Sequence, residues 1–366
     1  MQKKLGLIQV FRGFAAISVV LFHILTASVF YFKTTWLNGV FSAGSVGVDF
    51  FFVLSGFIMM YIHYGDLINR SNVKAFFLKR FIRIYPIYWI IASVYLFFQL
   101  YTGKYSIKTN LVFIIKSYLL IPQAVDPFLF PAWSLIFECF FYIIFGTCLL
   151  LGIKWSKYVF AGWLLLILIG QIIDIPFFHQ MSFSPLILEF LFGCFIGYIF
   201  HTYSNRIKEY DNGIFYSGLA LMVIVWILGS FFLTLPVKKS LWSCMIYGSI
   251  SSLLILGSAL KDTNGTIRLP NILLLIGESS YTIYLSHQIV LGLVYKKSVL
   301  LFSKNFTTGL LNIIGIIAFI LAVIVGIIFH EAIEKKLLPK LQKWMLPPKK
   351  LKSDVNFNVK PEPIAP

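Results

Sequence analysis

"RGFAAISVVLFH", residues 12–23, is an apolar run with an arginine at one end and a histidine at the other. At 100° per residue, eleven steps complete three turns plus about 20°, so Arg12 and His23 share a helix face. The same geometry separates them by roughly 16 Å along the axis. The run lies inside a longer apolar stretch, 8–31, with no other Lys, Arg, Asp, Glu or His. Such a stretch extends about 36 Å as a helix and spans a hydrocarbon core of about 30 Å. This is the length of a transmembrane helix, and it places two ionisable groups where lipid does not tolerate them.

The pattern repeats. The chain has 366 residues, 59% hydrophobic, and only 12% charged, half the share of a soluble domain. Apolar stretches near 20 residues recur at 8–31, 45–64, 82–102, 132–153, 157–174, 184–202, 213–234, 241–260, 271–294 and 307–330. They predict an all-α polytopic membrane protein with about ten helices in one bundle. "TNLVFIIKSYLLI" (109–121) is too short and too charged for a span, and reads as an interfacial or re-entrant piece.

The net charge of +17 is a matter of topology. With the N-terminus inside, the inner segments carry 21 of the 31 Lys and Arg residues and the outer loops nine. The positive-inside rule then puts both termini in the cytoplasm and leaves no case for nucleic acid. Residues 1–335 form the membrane domain, and 336–366 read as a disordered cytoplasmic tail. The four cysteines all fall in predicted spans and lack zinc-type spacing, so they read as packing residues and no metal is expected.

Ionisable residues within spans are costly and mark candidate sites. Those set more than two residues in from a span end are Arg12, His23, Asp49, Glu138, Glu189, Glu278 and His287. At 1.5 Å per residue, His23, Asp49, Glu138 and His287 all fall roughly 6–12 Å below the outer surface. Four helices thus contribute to one layer. Each residue also has a plainer reading. The histidines can hydrogen-bond across helices, Asp49 and Glu189 can complement helix N-termini, and Glu278 can bond its neighbouring serines.

Lysine outnumbers arginine 25 to 6, yet four arginines (Arg12, Arg70, Arg80, Arg83) cluster on or near the inner side of the first three spans. Arg80 and Arg83 stand at i and i+3 and can face the same way. Arginine suits phosphate as a planar donor that is always charged, although snorkelling anchors obey the same distribution. Pro86 follows and can kink the entry of the third span. A phosphate site inside, a His and carboxylate layer outside, and some 16 Å between them fit a coenzyme A thioester. A histidine there can act as general base on a hydroxyl or carry the acyl group, with Asp49 or Glu138 fixing its tautomer. The competing reading is a transporter or flippase whose buried charges line a proton or substrate path.

Arg12 and His23 also resemble the Arg-x10-His signature of the acyltransferase 3 family of membrane O-acyltransferases. The resemblance continues through "GVDFFFVLSGFIM" (47–59), "FLKRFIRIYPIYW" (77–89), "PAWSLIFECFFY" (131–142) and "GESSYTIYLSHQ" (277–288). It implies a ten-helix domain that moves an acetyl group from cytoplasmic acetyl-CoA or another acyl-CoA to a hydroxyl. The implied acceptor is an envelope polysaccharide or lipid-linked sugar, and the implied location a bacterial cytoplasmic membrane. By resemblance, His23 is the catalytic histidine, and Arg12, Arg80 and Arg83 serve the donor. Asp49, Trp133, Glu138, Tyr281 and His287 match further family positions. Some members add a soluble SGNH-type domain. Here only 36 residues follow the last expected span, so an onward acyl relay is expected to need a separate protein.

Overall fold

The computed structural model describes residues 5–70, 73–101, 107–173, 183–231, 240–265, 267–302 and 307–346. Among them the regular structure is entirely helical. Helix α1 (Gly6–Phe32) is followed by two 3-10 turns, Trp36–Gly39 and Ser42–Ser45, that lead into α2 (Val46–Asn69). Then come α3 (Val73–Tyr101), the short α4 (Ile107–Tyr118), a 3-10 turn at Phe130–Ala132, α5 (Trp133–Leu151) and α6 (Ile153–Ile169). The second half holds α7 (Leu186–Ile207), α8 (Asp211–Phe231), α9 (Leu241–Asn264), α10 (Asn271–Glu278), α11 (Ser280–Phe302) and α12 (Thr308–Phe329). A π-helical turn, His330–Glu334, joins α12 to α13 (Lys335–Met345).

Seven helical stretches are long and apolar enough to cross a membrane. One of them, Leu186–Phe231, contains both α7 and α8, separated by a 3-10 turn at Lys208–Tyr210. Among the described residues each of the ten expected segments overlaps a helix, but the seven do not include α6, of 17 residues, or α11. The surface shows why lipid is the matching solvent. Along α12, Ile313, Ile316, Ile317, Ile320 and Ile324 are all exposed, a continuous apolar face that water would penalise.

Two departures from the sequence reading matter. The expected single span 271–294 is broken at Ser279, so Ser280 and Tyr281 begin a new helix in the bundle interior. The expected disordered tail starts as helix: α13 carries apolar Leu337, Leu338 and Leu341 at helical spacing, and these pack into the core near α3. Its remainder, 347–366, lies outside the described residues. Pro86 lies inside α3, where its ring removes one backbone donor.

Small residues set the helix contacts. The most extensive pairing is α2 with α7, where Gly193 and Gly197 form a small-xxx-small pair. A Cβ at Gly193 would collide with the Val53 carbonyl, so only glycine allows the approach. The start of α1 is held by α9: Leu7 N donates to both carboxylate oxygens of Asp262, at 3.1 and 3.0 Å. That satisfies an otherwise orphaned helix-terminal donor and places a negative charge at the positive end of α1. Side by side, α1 and α11 then run in the same direction, with Gly277 against Gln9 and Tyr295 donating to the Ile24 carbonyl at 3.2 Å.

Candidate active site

A cavity of about 590 Å³ opens between α1, α2, α3, α5, the α10–α11 break and the π turn. Arg12 from α1 and Arg80 and Arg83 from α3 all line it. The spacing explains the pair on α3, since residues three apart on a helix point the same way. The break at Ser279 explains how Arg12 gains room. Gly277 packs against the α1 backbone at Gln9, which brings Glu278, Ser280 and Tyr281 to the same cavity wall.

The three arginines differ in their partners. Arg83 Nη1 donates to Glu334 Oε1 at 2.8 Å, and its guanidinium lies over the Tyr281 ring at 5.3 Å. Tyr281 is itself fixed, donating to the Ile84 carbonyl at 2.8 Å. Arg12 Nη1 donates to Gln9 Oε1 at 2.9 Å. Arg80 lies over the rings of Phe76 and Tyr142, at 5.8 and 5.6 Å. Among the described residues neither Arg12 nor Arg80 makes an ion pair, and the buried Nε of Arg80 has no hydrogen-bond partner.

Three glutamates share the wall, so the cavity is not a simple anion sink. Glu138 accepts from Ser55 Oγ at 3.1 Å and from the Tyr142 hydroxyl. Glu334, only 3% exposed, is bracketed by Arg83 and by His330 Nδ1 at 2.9 Å. Arg12 and Arg80 are therefore the two cavity arginines without an ion pair among the described residues. Glu334 and His330 escape the sequence reading because charges just past a long apolar run look like an ordinary span end. Only the π turn, a feature frequent at functional sites, turns them inward.

His23 and His287 lie beyond the cavity and are absent from its lining. Their rings stack at 5.1 Å, inclined by 29°. His23 also meets the edge of Phe130 at 5.8 Å. His287 is fully buried: Nδ1 is 3.3 Å from the Ile283 carbonyl, and Nε2 has no hydrogen-bond partner. Tyr284 stands between the two tiers. It lines the cavity, and its ring is 6.1 Å from that of His287.

The expected four-helix layer is divided. Asp49 is fully buried in a separate cluster, its carboxylate within 4.8 Å of Glu189 and Cys244. Helical phase is the reason. Gly47 faces the α1 backbone at Ala15, and two residues on, Asp49 points about 200° away, toward α7 and α9. Asp49 is also not the N-cap of α2, which is Ser45. Trp133 starts α5 and packs edge-on against Phe52 and Phe137, at 6.1 and 6.0 Å, outside the cavity lining. Arg12, Arg80, Arg83, Glu138 and Tyr281 thus share one cavity, His23 and His287 form a pair just behind it, and Asp49 and Trp133 stand apart.

Comparison with known proteins gives a consistent picture. Residues 6–331 match the sequence profile of the acyltransferase domain, Acyl_transf_3. The exopolysaccharide production protein ExoZ of Rhizobium meliloti is 28% identical over 264 residues, 70% of this chain and 79% of ExoZ. A putative acetyltransferase of Acidianus two-tailed virus is 26% identical, covering 75% of this chain and 80% of its own. The O-acetyltransferase OatA of Staphylococcus aureus is 24% identical over 75% of this chain but only 49% of OatA. No solved structure matches. A profile covering almost the whole described bundle decides between enzyme and transporter: the chain belongs to the acyltransferase 3 family and is a membrane acyltransferase.

Proposed function

We propose that the protein transfers an acetyl or other short acyl group from cytoplasmic acyl-CoA to a hydroxyl of an envelope polysaccharide or lipid-linked sugar. The observation that carries this reading is the cavity that gathers Arg12, Arg80 and Arg83 while its inner end abuts the His23–His287 pair. The names of ExoZ and OatA support a polysaccharide acceptor and an acetyl group. In this reading both termini are cytoplasmic, and the donor enters at the end of the bundle where α1 begins.

The phosphates of the donor occupy the arginines, Arg12 and Arg80 before Arg83, because Arg83 must first share its charge with Glu334. The pantetheine arm then runs along α1 toward the histidines, a distance of roughly 16 Å. His23 removes the proton of the acceptor hydroxyl, whose oxygen attacks the thioester carbonyl. The carbon–sulfur bond breaks, an ester bond forms, and the proton passes to the departing thiolate. The alternative is covalent: His23 takes the acyl group and then surrenders it to the hydroxyl. Of the two expected carboxylate partners, Glu138 lines the cavity and is the one proposed here, whereas Asp49 sits with Glu189 and Cys244.

The test uses purified protein in nanodiscs with radiolabelled acetyl-CoA and an envelope glycan fraction. His23→Ala is expected to reduce transfer to background at an unchanged thermal midpoint, and transfer at the wild-type level refutes the role of His23. Label retained on denatured protein without acceptor identifies the covalent route, and its absence the direct one. NMR of ester-linked acyl groups on glycans, with and without the gene, identifies donor acyl and acceptor together.

A further inference from the structure

Two rings meet on the cavity wall, one of them reaching the histidines. Phe51 and Tyr284 both line the cavity, and they meet edge-on at 6.0 Å. Tyr284 continues the path, 6.1 Å from His287, which in turn stacks on His23. Tyr284 thus touches both tiers, and Phe51 is the ring beside it on the cavity wall.

The two rings are held very differently. The Tyr284 hydroxyl lies 2.8 Å from Ser134 Oγ and 3.1 Å from the Pro131 carbonyl, so its position is pinned by polar contacts in a buried setting. Phe51 has only dispersion contacts. It is partly buried and borders all three hydrophobic clusters of the bundle, the point where the packed units meet. A ring at such a junction changes rotamer without breaking a hydrogen bond, and its motion opens or closes the way past Tyr284.

We propose that Phe51 and Tyr284 form a throat that sets the length of the acyl group delivered to the histidines. Tyr284 is its fixed side and Phe51 its moving side. This rests on the reading that an acyl-CoA occupies the arginine cavity. The throat passes a two-carbon group when Phe51 turns aside. Each further methylene must displace a ring that borders three packed clusters.

The experiment compares acetyl-CoA, propionyl-CoA and butyryl-CoA as donors for full-length protein in nanodiscs, with free CoA as inhibitor. In the wild type, kcat/KM is expected to fall by about tenfold or more per added methylene. Phe51→Ala is expected to raise the butyryl-to-acetyl ratio by about tenfold or more, with Phe51→Leu intermediate. Inhibition by free CoA is measured alongside, and any change common to all three donors cancels in the ratio. Because the ratio is internal to each preparation, partial misfolding does not move it, and Phe51→Leu serves if the alanine variant fails to fold. A variant that transfers acetyl with an unchanged ratio refutes the throat and leaves the donor reading standing. A wild-type protein that uses no acyl-CoA and binds no CoA refutes the donor reading, and the throat with it.

Discussion

Arg80 offers the sharpest separation between binding and stability. Its guanidinium lies over Phe76 and Tyr142 and makes no ion pair among the described residues. Removing it by Arg80→Ala therefore costs the fold only the cation–π contacts, about 0.5–1 kcal/mol each at partly exposed sites. A charge-assisted hydrogen bond to a donor phosphate is worth more, about 1.5–3 kcal/mol. Converted at about 1.4 kcal/mol per factor of ten, that is a rise of roughly 10- to 150-fold in KM for acetyl-CoA. The interaction is made in both ground and transition states, far from the reacting carbonyl, so kcat is expected to change little. Arg80→Lys retains the charge without the planar fork and is expected to fall between. Steady-state transfer in nanodiscs, varying donor and acceptor separately, measures all of this. A rise in acceptor KM at constant donor KM, or no change in either, refutes the assignment of Arg80 to the donor.

Arg83→Ala is expected to behave differently, because it leaves Glu334, 3% exposed, with His330 but without its arginine. Breaking a buried pair costs about 3–5 kcal/mol, and the one-third exposure of Arg83 reduces this to about 2. A lowered thermal midpoint that Glu334→Gln restores in the double variant is the expected signature. Asp49→Asn is expected to leave the KM for acetyl-CoA at the wild-type level, since Asp49 faces Glu189 and Cys244 rather than the cavity; a donor KM raised tenfold overturns that placement. Gly193→Val is expected to abolish the folded protein on size-exclusion chromatography, because its Cβ collides with the Val53 carbonyl. Gly213→Ala, with open space around it, is expected to be neutral or to stabilise by about 0.5–1 kcal/mol.

Much of this protein was legible in one dimension. Apolar runs of bilayer length predict the helices, and residues in the wrong solvent predict the ionisable candidates. The i,i+3 spacing of Arg80 and Arg83 predicts their shared face, and both line the same cavity. The break at Ser279 was not legible, because 271–294 reads as one apolar span of suitable length. Glu334 was missed for a related reason: charges at the end of a span are expected there, and the π turn that folds them inward has no simple sequence signature.

Asp49 shows where the sequence stops and the tertiary structure takes over. Counting residues from a membrane surface measures depth, because every helix rises by the same amount per residue. On that measure His23, Asp49, Glu138 and His287 belong together. Which way a residue points within its layer depends on how the helix is rotated about its own axis, and that is set by packing against neighbours. The glycines at 47 and 193 lock α2 between α1 and α7 and turn Asp49 away from the histidines. The distance between Arg12 and His23 was therefore written in the sequence alone. That a cavity holds one and ends just short of the other, at Tyr284, was decided only when side chains from six helices and the π turn closed around it.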